Sequence, residues 1–171
     1  MQKLAVIEIR EGQSSAIVLD SVVETLRSEG TIVAGYLQRE LLQDDRTPDT
    51  LLEDIETGER FGIMQALGSS ATSCRLDTQA LADIAGRAIG RLEQPADILV
   101  LNRFGKAEAE GNGLRAVMEL AIQRDIPVLT SVEASYLEDW RNYVGDLAVH
   151  LPPDVTAALA WYRSATTSGS N

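Results

Sequence analysis

Residues 99–116 read LVLNRFGKAEAEGNGLRA and hold the densest group of chemically able side chains in the sequence. An apolar run closes at Leu101, and Asn102, Arg103, Lys106, Glu108 and Glu110 follow among Gly105, Gly111 and Gly113, with Arg115 just beyond. An amide and two cations after a strand suit direct contact with an anion, because charged donors make the stronger hydrogen bonds. The glycines let backbone N–H groups approach such a ligand closely. Glu108 and Glu110 either orient the cations or act as bases. Magnesium-dependent phosphoryl transfer would place an acidic residue at this strand end to hold the metal; Asn102 and Arg103 stand there instead. The competing reading of the same residues is a surface salt-bridge network beside a flexible glycine loop.

A second candidate precedes the first expected helix. A phosphate-cradling loop reads G-x-x-x-x-G-K-[ST], with glycines baring N–H groups and the lysine reaching the phosphates. Starting at Gly12 the sequence reads GQSSAIVL, so Ile17, Val18 and Leu19 occupy the places of the second glycine, the lysine and the hydroxyl. Ordinary P-loop hydrolysis is therefore not expected. Gly12, Ser14 and Ser15 form either a tight turn into a helix or a residual anion site at its N-terminus. A third candidate is Cys74 beside Arg75, where the guanidinium would favour the thiolate; a buried structural cysteine is the alternative. His150, the single histidine, reads as a packed edge residue, which leaves no cysteine–histidine nucleophile and no zinc ligand set. Tyr136, Trp140, Tyr143, Trp161 and Tyr162 near the C-terminus read as core packing or a dimer surface.

These residues need a scaffold, and the periodicity supplies one. LAVIEI and ADILVLN are apolar runs suited to strands covered on both faces. SAIVLDSVVETLRSEG has Ile17, Val18, Val22 and Leu26 near helical spacing, with Ser14 or Ser15 as its cap and Gly30 at its end. TIVAGYLQ follows as a strand, and TLLEDIETGERFGIMQAL as a hairpin about Thr57–Gly58. GSSATSCRLD reads as a loop into the helix TQALADIAGRAIGRLEQ, capped by Asp77 or Thr78. GLRAVMELAIQRD is a helix, IPVLTSV a strand, SYLEDWRNYVG a short helix, LAVHL a short strand, and PPDVTAALAWYRSA a closing helix with proline at its start. Alternating strands and helices predict a three-layer α/β fold, a mostly parallel sheet with an antiparallel hairpin. In such sheets ligands sit outside the carboxyl ends of the strands. The ends that matter are REGQSS, LQRE, NRFGKAEAEG and SVEASY.

The chain has 171 residues, enough to bury a real core in one α/β domain, expected over 1–166 with 167–171 as a disordered tail. A net charge of −11 argues against nucleic acid, which is bound through a basic stripe. No apolar run approaches bilayer-spanning length, and the N-terminus does not read as a signal peptide. With one cysteine there is no internal disulfide, and the cytoplasm is the expected location.

VAGYLQRE, LEDIETGERFGIMQ, SCRLDTQALA, ADILVLNRFGKAEAEGNGLRA and IPVLTSVEASYLEDW together resemble a bacterial family of unknown function whose members are typically encoded near molybdate-transport genes. The resemblance runs from about Ala5 to Leu151, with NRFGKAEAEGNGLR and CRLD as its most specific parts. That family is similar in turn to the thermostable P-loop nucleoside-triphosphatases, and implies a degenerate version of their fold. Its motif falls on Cys74, Arg75, Asp77, Asn102, Arg103, Gly105, Lys106, Glu108, Gly111, Gly113 and Arg115. The resemblance implies molybdate or a nucleotide as ligand. Three functions follow as expectations. The first is binding of an oxyanion or nucleotide phosphate between the NRFGK loop and the first helix, with Arg103 and Lys106 neutralising charge and Asn102 donating a hydrogen bond. The second is an interaction module that docks on a molybdate-transport or cofactor-synthesis protein. The third is an unorthodox nucleoside-triphosphatase with Glu108 positioning water.

Overall fold

A computed structural model describes residues 2–10, 12–41, 49–66 and 74–167. The tail residues 168–171 lie outside it, as do the side chains of Cys74 and Arg75. The main sheet has the order β4–β3–β2–β7–β8–β1–β9. Its strands are β1 (Leu4–Ile9), β2 (Val33–Leu41), β3 (Asp49–Asp54), β4 (Arg60–Gly62), β7 (Ile98–Phe104), β8 (Val128–Glu133) and β9 (Ala148–Leu151). β2, β7, β8, β1 and β9 are parallel, while β3 and β4 add the antiparallel hairpin expected from the sequence. β5 (Met64–Ala66) and β6 (Cys74–Leu76) form a separate antiparallel pair.

The alternation along each strand sorts residues between two cores. Leu4, Val6, Ala34, Tyr36, Leu99 and Leu101 face one side, packed under α2 (Thr78–Arg91), α4 (Arg115–Gln123) and α5 (Leu137–Val144). Ala5, Ile7, Ile9, Val33, Leu37, Ile98 and Val100 face the other, under α1 (Ser15–Ser28) and α6 (Val155–Thr167). A parallel sheet covered on both faces has no polar alternation, which is why β1 and β7 read as continuous apolar runs. β2 and β7 pass so closely that a Cβ on Gly35 would stand 1.8 Å from the Val100 carbonyl oxygen, so no other residue fits there.

Four local expectations change. The buried stripe of α1 is Leu19, Val22, Val23 and Leu26, spaced i, i+3, i+4, i+7, and Ile17 points outward at 70% exposure. Ser14 is the N-cap residue, but its side chain makes no capping bond. The loop read into GSSATSCRLD ends in β6, and the glycine segment holds a single-turn helix, α3 (Lys106–Ala109). Both elements are too short to leave a periodic signal. The cap of α2 is as expected: Asp77 accepts from the Gln79 and Ala80 N–H groups at 3.1 Å each.

Candidate functional site

β7 carries its side chains past the sheet rim, and each then meets a different fate. Asn102 is 3% exposed, and its Oδ1 accepts from the Ser15 and Ser131 hydroxyls, both at 2.9 Å. Its carbonyl oxygen is thus spent on tying β7 to the start of α1 and to β8. The Asn102–Arg103 peptide is cis. Arg103 reaches sideways, and its Nη1 donates to Glu133 Oε1 at the end of β8. Glu133 was within reach of sequence reasoning only as part of SVEASY, a strand end marked as important; its pairing depends on strand order.

Beyond Gly105 the chain folds around Glu108. This carboxylate is 7% exposed, and accepts from the Gly105 N–H at 2.9 Å and the Leu114 N–H at 3.1 Å, so it closes residues 105–114 into a compact loop. Gly113 makes the closure sterically feasible. Its φ is +62°, and a Cβ there would lie 1.8 Å from Glu108 Oε2. Burial pushes the Glu108 pKa up, against the lowering effect of the backbone N–H groups and of Arg103. Arg115 braces the loop from outside: its Nη1 donates to the Glu108 carbonyl at 3.4 Å, and its guanidinium lies 3.8 Å from the centre of the Tyr143 ring. Tyr143 stacks on Phe104 and donates to Glu119; burial first, and then that carboxylate, push its pKa up to about 12. Trp140 packs edge-on against Phe104 and is fully buried. Gly111 lies outside the cavity lining, next to Arg115.

Asn102, Arg103, Gly105, Lys106, Glu108 and Gly113 border a cavity of about 780 Å³ at the carboxyl ends of β2 and β7. Lys106 is exposed at its edge, and among the described residues its ammonium has neither a hydrogen-bond nor an ion-pair partner. Gln38 and Glu40 enter from β2 because even-numbered residues of that strand face the α2 side, while Leu37 and Arg39 face α1. Thr78 and Leu81 are delivered by α2, and Tyr136 by the turn after β8. The sequence marked the LQRE strand end without naming Gln38, and read Thr78 only as a possible cap and Tyr136 only as packing or a dimer surface; their convergence follows from the sheet order.

The first loop stands apart from this cavity. Arg10 and Gln13 close a tight turn, with Gln13 N–H on the Arg10 carbonyl at 3.0 Å and Arg10 N–H on Gln13 Oε1 at 2.9 Å. Gly12, Ser14 and Ser15 do not line the cavity, and Ser15 meets the β7 group only through Asn102. The start of α1 thus reaches the cavity only through Asn102, which lines it. With its Oδ1 serving two hydroxyls, Asn102 has its Nδ2 amide left as the donor. His150, on the edge strand β9, has Nδ1 2.6 Å from Glu8 Oε1. No group of three or more metal-ligating residues occurs among the described residues, and none of their helices is long and apolar enough to cross a membrane.

A family model described as "Protein of unknown function (DUF2478)" matches residues 4–161. The chain belongs to the DUF2478 family. This DUF2478 protein is also 31% identical over 166 residues to Molybdenum import ATP-binding protein ModC 2 of Bradyrhizobium diazoefficiens, in a match that takes in 96% of this chain and 18% of the relative. It thus spans less than a fifth of that relative's length. Nucleoside-triphosphatase THEP1 of Picrophilus torridus is 23% identical over 124 residues, which is 71% of this chain and 69% of the relative. The crystal structure of THEP1 from Aquifex aeolicus superposes with a TM-score of 0.63 at 14% identity, covering 98% and 99% of the two chains. The solution structure of a human cancer-related nucleoside triphosphatase gives 0.61 at 14% identity, covering 98% and 100%. The DUF2478 chain therefore has a P-loop NTPase-like fold, on which the phosphate-binding lysine and the acidic strand end are replaced.

Proposed function

We propose that this DUF2478 protein binds a small anion, an oxyanion or a nucleotide phosphate, in the cavity at the ends of β2 and β7, and that it does so without P-loop hydrolysis. The observation that carries the reading is Lys106, a cation at the edge of a 780 Å³ cavity with no partner among the described residues. Arg103 stands beside it and would exchange Glu133 for the ligand. Micromolar affinity needs about 8 kcal/mol. Charge-assisted hydrogen bonds at about 1.5–3 kcal/mol each bring Lys106 and Arg103 to roughly half of that. The rest would come from neutral hydrogen bonds and burial of the ligand. The similarity to a molybdenum import ATP-binding protein and to nucleoside-triphosphatases supports molybdate and nucleotides as the first ligands to try. The alternative role of Glu108, positioning water for hydrolysis, draws no support from a carboxylate whose two oxygens already accept backbone N–H groups.

Titration calorimetry with molybdate, sulfate, AMP and ATP tests the proposal. Wild type is expected to bind at least one of them in the micromolar range, and Lys106→Ala and Arg103→Ala are each expected to weaken that binding about tenfold or more, the loss of one charged contact. Unchanged affinity in both variants would remove the cavity from consideration. A second reading has its own support: a region 31% identical to this chain makes up 18% of a molybdenum import ATP-binding protein, which fits a module that docks on such a protein. No heat with any anion, from protein that melts cooperatively, would leave docking as the better account.

A further inference from the structure

The cavity is sorted by chemistry from one end to the other. Arg103 and Lys106 stand at the β7 end, while Leu52, Ile63, Leu76 and Leu81 line the end beyond β2, toward β3 and the start of α2. β3 and β7 flank β2 in the sheet, so these ends are two strand spacings apart, about 10 Å. Gln38 and Thr78 lie among the lining residues, and no hydrogen bond engages either side chain among the described residues. A tetrahedral oxyanion is the size of only a few water molecules at ~30 Å³ each, and it would leave most of the 780 Å³ empty. The volume falls instead in the range of about 300–1,000 Å³ that holds a ligand with a sizeable body. Glu40 and Glu110 also line the cavity, and both are exposed. Their charge disfavours a polyanion and leaves room for one compact headgroup.

We infer that the ligand is an organic anion: a phosphomonoester or carboxylate head against Lys106, joined to a flat apolar body about as large as a nucleoside that lies over Leu76 and Leu81. Gln38 and Thr78 contact polar edges of that body. This rests on the reading that the cavity binds an anion, and narrows it to exclude bare molybdate or phosphate as the preferred ligand.

The test compares 1-naphthyl phosphate, inorganic phosphate and molybdate by calorimetry on the full chain, in wild type, Lys106→Ala and Leu76→Gln. Leu76 is only partly buried, so Leu76→Gln is expected to fold, and its melting curve verifies this. The aryl phosphate is expected to bind at least tenfold more tightly than either inorganic anion, and Leu76→Gln to remove most of that advantage while leaving the inorganic anions unchanged. Equal affinity for all three would overturn the organic-ligand inference and leave the anion-binding reading standing. Aryl phosphate binding that Lys106→Ala does not weaken would overturn both, and an absence of binding by all three would overturn the organic-ligand inference.

Discussion

A carboxylate buried inside a glycine loop is tolerated only when donors replace the water it has lost. Glu108 has two such donors, the Gly105 and Leu114 N–H groups, with Arg103 adding a favourable field. Burial still wins, and the pKa is raised from the ordinary carboxylate value of 4.5. The consequence for stability has a definite sign. The folded state holds the Glu108 proton more tightly than the unfolded chain does, so this contribution is fully present below the unfolded pKa. It is lost as pH rises through the raised folded pKa. Urea unfolding of wild type and Glu108→Gln across the acidic-to-neutral range isolates it, because the other carboxylates cancel in the difference. The stability of wild type relative to Glu108→Gln is expected to fall through that window and then level off. A difference that does not change with pH would mean that the loop donors fully offset burial.

Elements meet at Asn102, where one amide oxygen joins α1, β7 and β8 through Ser15 and Ser131. Asn102→Leu removes the acceptor from Ser131, which is 1% exposed and has no access to water. An orphaned buried hydroxyl costs about 1–3 kcal/mol, and adding Ser131→Ala in the same background is expected to restore part of the loss in chemical denaturation. If the double variant is no more stable than the single one, the hydroxyl was not the source of the cost. This junction also shows where the sequence is informative. β1, β7 and the Asp77 cap of α2 were legible because burial on both faces, strand-length apolar runs and capping chemistry are local signals. The rim of β7 was legible as a site because polar residues end an apolar run there. The pairing of Asn102 with Ser15 and of Arg103 with Glu133 was not legible, since each joins residues whose proximity is set by the strand order β7–β8–β1. α3 and β6 escaped for want of length, a turn or three residues being too little for periodicity to register, while β5 was read as the far end of the hairpin's second strand and pairs with β6 instead.

At the scale of the whole molecule, 26 acidic residues against 15 basic ones set a negative field through which any anionic ligand must pass. Lys106 does not turn the cavity mouth into a positive funnel, because Glu40 and Glu110 also line the cavity and are exposed. Long-range repulsion and short-range attraction should therefore separate kinetically. Raising the ionic strength from about 0.01 M to 0.15 M shortens the screening length from about 30 Å to 8 Å, which removes the distant repulsion and leaves close contacts less affected. The association rate of an anion is thus expected to rise severalfold over that range, in contrast to the fall seen when opposite charges steer an encounter. Lys106→Ala should weaken binding mainly by speeding dissociation, with the salt dependence of association keeping its sign. Stopped-flow measurements at a series of salt concentrations read both rates. An association rate that falls with added salt would show that Arg103 and Lys106 dominate the potential at the mouth, and that the acidity of the rest of the molecule is silent there.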